Sequence, residues 1–326
     1  MGALYSHLFT PLTLPPASTI RNRSILITGS NTGLGLEAAR HALNLGAGTV
    51  ILAVRSVDKG EAAKVNITNG NPELMSKVLV WHLDLESFAS VRHFVSKARE
   101  YVGNGGKLDS IILNAGIASL EWNVTEDGWE RNLQVNVLST ALLGLELLPL
   151  LLKTSESDSD NGSSLKPHLT ILASDIHKTA RFSERHAEHI LFALDNRDQW
   201  AKSQQAGGAT ERYAVTKLLD IYIMKQIAAL VPLDEDGEPR VVVNCVAPGF
   251  CKSDLLSREE GVPFVIKVLQ RVVGRSVAEG SKALLHAVSL VGESQGEWVE
   301  DLAVRDPGRI VTNPDMVRVR EKIWEA

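Results

Sequence analysis

Ser24-Ile-Leu-Ile-Thr28, followed at once by Gly29-Ser-Asn-Thr-Gly33-Leu-Gly35, is the stretch on which the architecture turns. Its first five residues form a short apolar run that suits a strand buried on both faces. Leu36 to Leu45 then carries apolar residues at helical spacing, with Gly46 as a natural stop. Strand, glycine loop and helix in direct succession is the context that a phosphate-cradling loop requires. Glycines let the backbone turn tightly, and they let a pyrophosphate approach a helix N-terminus whose free N–H groups and dipole favour an anion. The spacing here is G-x-x-x-G-x-G rather than the commoner G-x-G-x-x-G, and a glycine cluster outside this context is simply a turn.

Downstream, the same alternation repeats. Thr49–Val54 reads as a second strand, followed by a helix over Lys59–Ile67, a third strand over Lys77–Leu83 and a helix over Ser87–Val102. Leu108–Leu113 is the fourth strand and ends in Asn114-Ala115-Gly116, small residues that let backbone approach a flat ligand. A long helix spans Trp129 to Leu152, a polar surface loop Thr154 to Ser164, and a fifth strand Leu169–Ala173. The helix carrying Tyr213 runs to Leu230, Val241–Cys245 is the sixth strand, and Ser276-Val-Ala-Glu279 is a capping-box opening to another helix. Strands alternating with helices predict one α/β domain of Rossmann type, a doubly wound parallel sheet with helices on both faces. Residues 1–23 read as an irregular lead-in on the surface, 24–326 as the single domain, 175–212 as an insert without clean period and 251–275 as a lid.

The composition is that of an ordinary globular protein: 44% hydrophobic, 22% charged, net charge −5 over 326 residues. That mild acidity gives no electrostatic case for nucleic acid. Cys245 and Cys251 are too few for a disulfide framework, so a reducing, cytoplasmic setting is expected. The richest apolar run, Val137 to Leu152, is short and contains Glu146 and Pro149, which suits a buried helix rather than a membrane span. Met1-Gly-Ala-Leu-Tyr-Ser6 matches the myristoylation pattern formally, at Gly2, but no polybasic patch follows it. His177, His186 and His189 lack an accompanying Asp/Glu/Cys arrangement, and no metal is expected.

Candidate chemistry gathers at strand ends. Tyr213 and Lys217, at i and i+4, share a helix face, and an ammonium beside a phenol favours the phenolate. Ser174 stands at the C-terminal end of the fifth strand, where open α/β sheets present ligand-facing groups. After the second strand comes Arg55, in the region where an acidic residue would hold the ribose hydroxyls of NAD; an arginine suits a 2′-phosphate and favours NADP. Asp84, with Leu85, stands where a carboxylate could hold adenine or else cap the next helix. Asn136 interrupts an apolar face and must be a structural tie or a site residue.

Together, Thr28-Gly-Ser-Asn-Thr-Gly-Leu-Gly35, Asp84, Asn114-Ala-Gly116, Asn136, Ser174, Tyr213-x-x-x-Lys217 and Pro248-Gly249 resemble the classical short-chain dehydrogenase/reductase family over roughly residues 22–300. Leu36-Glu-Ala-Ala-Arg40 and Ala247-Pro-Gly-Phe-Cys-Lys-Ser253 look most like its retinol-dehydrogenase-like branch, particularly fungal secondary-metabolite reductases. The resemblance implies an NADP(H)-dependent exchange between a carbonyl and an alcohol on a hydrophobic small molecule. It implies Tyr213 as acid/base, Lys217 lowering its pKa and holding the nicotinamide ribose, Ser174 on the substrate oxygen, and Asn136 in a proton relay. It further implies that Gly29, Ser30, Asn31, Thr32, Gly33, Leu34, Gly35 and Arg55 hold phosphates, Asp84 and Leu85 the adenine, and Asn114, Ala115 and Gly116 the cofactor's flat face. Pro248 and Gly249 would line the nicotinamide pocket, with Ser253 as an amide contact.

Departures from the family pattern lie around the substrate. Ala173 precedes Ser174 where many members carry a second serine, and the interval to Tyr213 is longer than most. Ala173, His177 and the insert are expected to border the pocket, with Leu255, Leu256, Val262, Phe264 and Val265 either lining it or serving as core. The resemblance implies a homodimer or tetramer through helices 129–152 and 213–230, whose apolar faces an ordinary core explains equally well. The rival readings, a silent nucleotide-binding sensor or scaffold and a nucleotide-sugar epimerase, fit less well. The first typically loses one of Ser174, Tyr213 and Lys217; the second needs a larger C-terminal domain.

Overall fold

The computed structural model describes residues 11–160, 165–252 and 274–326. In chain order come β1 (Ser24–Thr28), α1 (Gly33–Asn44), β2 (Thr49–Val54), α2 (Val57–Thr68), α3 (Pro72–Ser76), β3 (Val78–His82), α4 (Phe88–Gly103) and β4 (Ser110–Leu113). A π-helical segment, Leu133–Leu138, leads into α5 (Ser139–Asp160), followed by β5 (His168–Leu172), α6 (Ile190–Leu194), α7 (Arg197–Gly207), α8 (Glu211–Ala229) and β6 (Val242–Ala247). The chain closes with α9 (Val277–Ala287), β7 (Trp298–Glu300), β8 (Ala303–Arg305), α10 (Arg309–Thr312) and α11 (Pro314–Trp324).

The strands form one sheet in the order β3-β2-β1-β4-β5-β6-β7-β8. Every neighbouring pair is parallel until β7 and β8, which are antiparallel. Because successive residues of a strand point to opposite faces, each strand feeds two cores. Leu26, Ile51 and Ile111 pack on one face with α4, α5 and α8, while Ile25, Ile27, Val50 and Leu52 pack on the other with α1 and α9. This double burial is why the strands read as unbroken apolar runs. The order reverses between β1 and β4, and the carboxyl ends of those strands open the crevice in which such sheets bind ligands.

Helix starts follow local chemistry. Ser56, Ser87 and Ser276 each accept a hydrogen bond from a first-turn N–H of α2, α4 and α9, the last from Glu279 as the capping signature predicted. Several elements differ from expectation. The polar run after Thr154 is helical to Asp160, with the Thr154 and Ser157 hydroxyls donating to the carbonyls of Leu150 and Lys153 one turn back. The insert 175–212 holds short 3₁₀ turns at Asp175–Thr179 and Ser183–His186 as well as α6 and α7, too short to show a period. The lead-in is not merely superficial: Leu12 and Ile20 are buried, and Leu12 is tied through backbone N–H and carbonyl to Glu279 and Lys282 of α9. The hairpin β7–β8 carries no clear strand signal in the sequence, because its strands have three residues each and turn through Asp301 and Leu302, both at positive φ (48° and 64°).

Helix Leu133–Ser157 is long and apolar enough to cross a membrane, with mean hydropathy 1.9, yet Leu143, Leu147 and Leu151 are buried against the sheet. Cys245 and Cys251 are both buried and unbridged. Gly2 and most of the predicted lid, Ser253 and its apolar residues included, lie outside the described residues.

Candidate active site

The loop between β1 and α1 is shaped by where side chains cannot go. Gly29 and Gly33 take φ of 64° and 61°, a left-handed conformation that strains other residues. Gly35 is tight for a different reason: a Cβ there would stand 2.6 Å from Asn114 Nδ2 and 2.8 Å from the Gly29 carbonyl oxygen. Asn114 bolts the loop to the sheet, donating through Nδ2 to the Thr28 carbonyl at 2.8 Å, while Ala115 N–H donates to Thr28 Oγ1 at 2.9 Å. Thr32, the residue before α1, makes no side-chain cap, so the first-turn N–H groups are left for an anion. Gly29, Asn31, Thr32, Gly33 and Leu34 line a cleft of about 380 Å³. Ser30 does not: its hydroxyl is fully buried and donates to the Ile27 carbonyl. Gly35 likewise serves close packing rather than contact.

Across the cleft stand Tyr213 and Lys217 of α8, with Asn114, Ala115 and Gly116 between. Lys217 Nζ lies 5.8 Å from the Tyr213 ring centroid and donates to the Leu172 carbonyl at the end of β5 and to Asp220 Oδ2, both at 2.8 Å. Burial pushes the Tyr213 phenol above its usual pKa; Lys217 pulls it down, Asp220 pushes it up, and the Ser174 side chain pulls it down. Lys217 therefore acts in the expected direction, but the phenol as a whole is raised, because desolvation is larger. For Lys217, burial works against the charge, and Asp220 with Tyr213 outweighs it, so the ammonium is held above its ordinary range.

Asn136 is a structural tie of the cleft's back wall. Its Oδ1 accepts from Ile117 N–H and its Nδ2 donates to the Ile117 carbonyl, both at 2.8 Å, and to Thr216 Oγ1 at 3.0 Å. A Cβ on Gly116 would come within 3.2 Å of Asn136 Oδ1 and 3.6 Å of Lys217 Nζ, so glycine there keeps the cleft open.

The outer residues sit at the expected strand ends without lining this cleft. Arg55 follows β2 and is largely exposed, with its Nη1 2.6 Å from Glu86 Oε1. Asp84 accepts from Glu86 N–H, a local turn rather than the helix cap, which Ser87 supplies. Leu85 is buried. Gly249 has φ 77°, and the Pro248 carbonyl accepts from Arg275. His177 was expected at the pocket border but is fully buried. Its ring nitrogens face the Ser174 and Pro307 carbonyls, both at 2.7 Å, so it ties the Ser174 turn to the C-terminal segment.

Three site residues were missed in the sequence. Asp220 is buried against Lys217; only its i+3 spacing could have signalled it. Arg131 lines the cleft and pairs with Glu86 at 2.7 Å, so that one carboxylate holds Arg131 and Arg55. Those two arginines hold the Glu86 carboxyl below its usual range despite partial burial.

A family model described as short chain dehydrogenase matches residues 23–163. The chain is 38% identical to the short chain dehydrogenase atnD of Emericella nidulans, covering 94% of this chain and 92% of that protein. It is 33% identical to the short chain dehydrogenase/reductase dmxR8 of a Cryptosporiopsis species, covering 99% and 94%. Among solved structures it resembles a short chain dehydrogenase of Salmonella enterica serovar Typhi, with TM-score 0.63, 22% identity and coverage of 89% and 99%. It also resembles a short chain dehydrogenase of Escherichia coli complexed with NADPH, with TM-score 0.60, 21% identity and coverage of 88% and 99%.

Proposed function

The chain belongs to the short-chain dehydrogenase/reductase family of oxidoreductases, and from that premise we propose that it uses NADPH to reduce a ketone or aldehyde on a hydrophobic small molecule, an intermediate of secondary metabolism, in the cytoplasm. The observation that carries this reading is the convergence on one cleft of the glycine loop and of Tyr213, with Lys217 and Ser174 both acting on its phenol.

The residues fit a nicotinamide dinucleotide. The uncapped start of α1 offers N–H groups to a pyrophosphate, and Gly116 leaves room for a flat ring in front of Asn136 and Lys217. The cofactor supplies the hydride. Tyr213 donates the proton that the developing alkoxide takes up, and its raised pKa keeps it protonated at neutral pH, which favours reduction. Ser174, whose side chain acts on that phenol, is the residue we assign to donate to the same substrate oxygen and stabilise its charge. Lys217 holds its ammonium beside the phenol and within reach of a ribose hydroxyl. Arg55 is the residue we assign to the 2′-phosphate, exchanging its Glu86 partner for the stronger fork with phosphate.

The test is titration with NADPH and NADH followed by nicotinamide fluorescence, alongside turnover of a carbonyl panel. Wild type should prefer NADPH, and Arg55→Asp should lose that preference. Tyr213→Phe should lower turnover by ~10³-fold or more while NADPH affinity stays within about twofold. Retained turnover in Tyr213→Phe would overturn the assignment of the acid, and preference for NADH that of Arg55.

A further inference from the structure

Tyr213, Lys217 and Asp220 occupy i, i+4 and i+7 of α8 and so fall on one face of the helix. Lys217 and Asp220 are nearly fully buried, with side chains 5% and 1% exposed, and their charged atoms are 2.8 Å apart. Asp220 Oδ1 has no hydrogen-bond partner among the described residues. A buried carboxylate with an unpaired oxygen is costly, and the positions beside it, Leu218, Leu219 and Ile221, are apolar. Helix packing alone gives no reason for a carboxylate here. Its one charged partner among the described residues is the lysine of the proposed acid–base pair.

We propose that Asp220 is a positioning residue of the reaction, which holds the Lys217 ammonium against the end of β5 and offsets part of its pull on Tyr213, so that the phenol remains a proton donor. This rests on the reading of Tyr213 as the acid. The geometry gives both halves of the effect. Nζ is fixed between Asp220 Oδ2 and the Leu172 carbonyl, two acceptors from different elements, which leaves its remaining proton for the cleft side. The carboxylate also brings the buried pair close to neutral, so the phenol meets a dipole rather than a bare cation.

The titratable groups facing Asp220 are Lys217 and Tyr213 from its own helix and Cys245 from β6, whose thiol burial holds well above its usual range; Lys225 acts on that thiol. Burial, only partly opposed by Lys217, raises the Asp220 carboxyl to about 6. Below that pH the offset is lost, and the pull of Lys217 on the phenol strengthens.

The experiment measures the ionisation of Tyr213 in the cofactor-free protein by ultraviolet difference absorbance, with Tyr213→Phe subtracting the other tyrosines. Asp220→Asn should ionise at lower pH than wild type, and Asp220→Glu should return the midpoint towards the wild-type value. In steady-state carbonyl reduction, Asp220→Asn should lose about tenfold in kcat with KM within about twofold, and its alkaline limb should move to lower pH. Asp220→Ser is a second neutral variant should the asparagine fail to fold, with circular dichroism reporting the fold. An unchanged phenol midpoint in a folded neutral variant overturns the proposal. The phenol titration needs no turnover, so failure of NADPH binding would sink the functional reading without being confused with this result.

Discussion

His168, at the start of β5, sits between two backbone carbonyls, Lys166 O at 2.9 Å from Nδ1 and Leu290 O at 2.5 Å from Nε2. A neutral imidazole can donate to only one of them. Burial and the nearby Arg23 charge nevertheless depress its pKa to about 4, although the two carbonyls work the other way. The folded state therefore binds fewer protons than the unfolded chain between about pH 4 and 6.5, and stability rises with pH across that window. The contribution, on the order of 3 kcal/mol, is fully present above pH ~6.5 and is lost as pH falls towards 4. Asp175 and Asp220, both raised to about 6 chiefly by burial, act oppositely and favour the fold as they take up protons. His168→Gln should thus be less stable than wild type at pH 7, and the gap between their melting temperatures should narrow by pH 4.5. A gap that is constant with pH would contradict this account.

At the scale of an element, the π-helical stretch Leu133–Leu138 carries the polar side chains of Gln134 and Asn136 into a buried environment. Asn136 within it is 1% exposed and satisfies both backbone groups of Ile117 together with Thr216. It thereby joins three pieces of the site: the segment after β4, the π-helical lead into α5 and the helix bearing Tyr213 and Lys217. Asn136→Leu fills a similar volume but leaves the Ile117 N–H and carbonyl without these partners in a dry interior, at a cost of about 3 kcal/mol; Thr216 keeps its bond to the Tyr213 carbonyl. Denaturant unfolding should show that loss as a lower midpoint at unchanged slope. A variant as stable as wild type would mean that water replaces the amide.

Across the whole molecule, the C-terminal segment is part of the site's support. α8 is buried along nearly its whole length, and part of its cover comes from residues after 306. Tyr222 donates to the Ile310 carbonyl at 2.9 Å, Val311 and Met316 are buried, and Lys322 reaches the Ala187 carbonyl of the insert. The association through α8 that the family resemblance implies thus meets a helix whose surface is already largely covered within one chain. Removing residues 307–326 should lower the melting temperature, raise binding of a hydrophobic dye and promote association in sedimentation velocity. It should also weaken turnover, because His177 loses the Pro307 carbonyl that anchors the Ser174 turn. Unchanged dye binding would show that this segment covers nothing essential.

Features that depend on local pattern were legible in the amino-acid sequence. β1 and β2 lie where their apolar runs predict, because a strand buried on both faces must be continuously apolar. The glycine loop was readable because left-handed backbone and close approach select glycine, and Tyr213 with Lys217 because helical spacing alone puts them on one face. Features that depend on long-range burial required the tertiary structure. Ser30 turns inward rather than towards a phosphate, His177 is a tie and not a pocket wall, and the phenol of Tyr213 is raised rather than lowered. Each of these is decided by how far water is excluded and which distant groups close in. Desolvation acts through three-dimensional surroundings, and no spacing along the chain encodes it directly. Asp220 shows the division most clearly: the sequence puts it three residues beyond Lys217, and only the packing of α8 against the sheet turns that spacing into a buried ion pair.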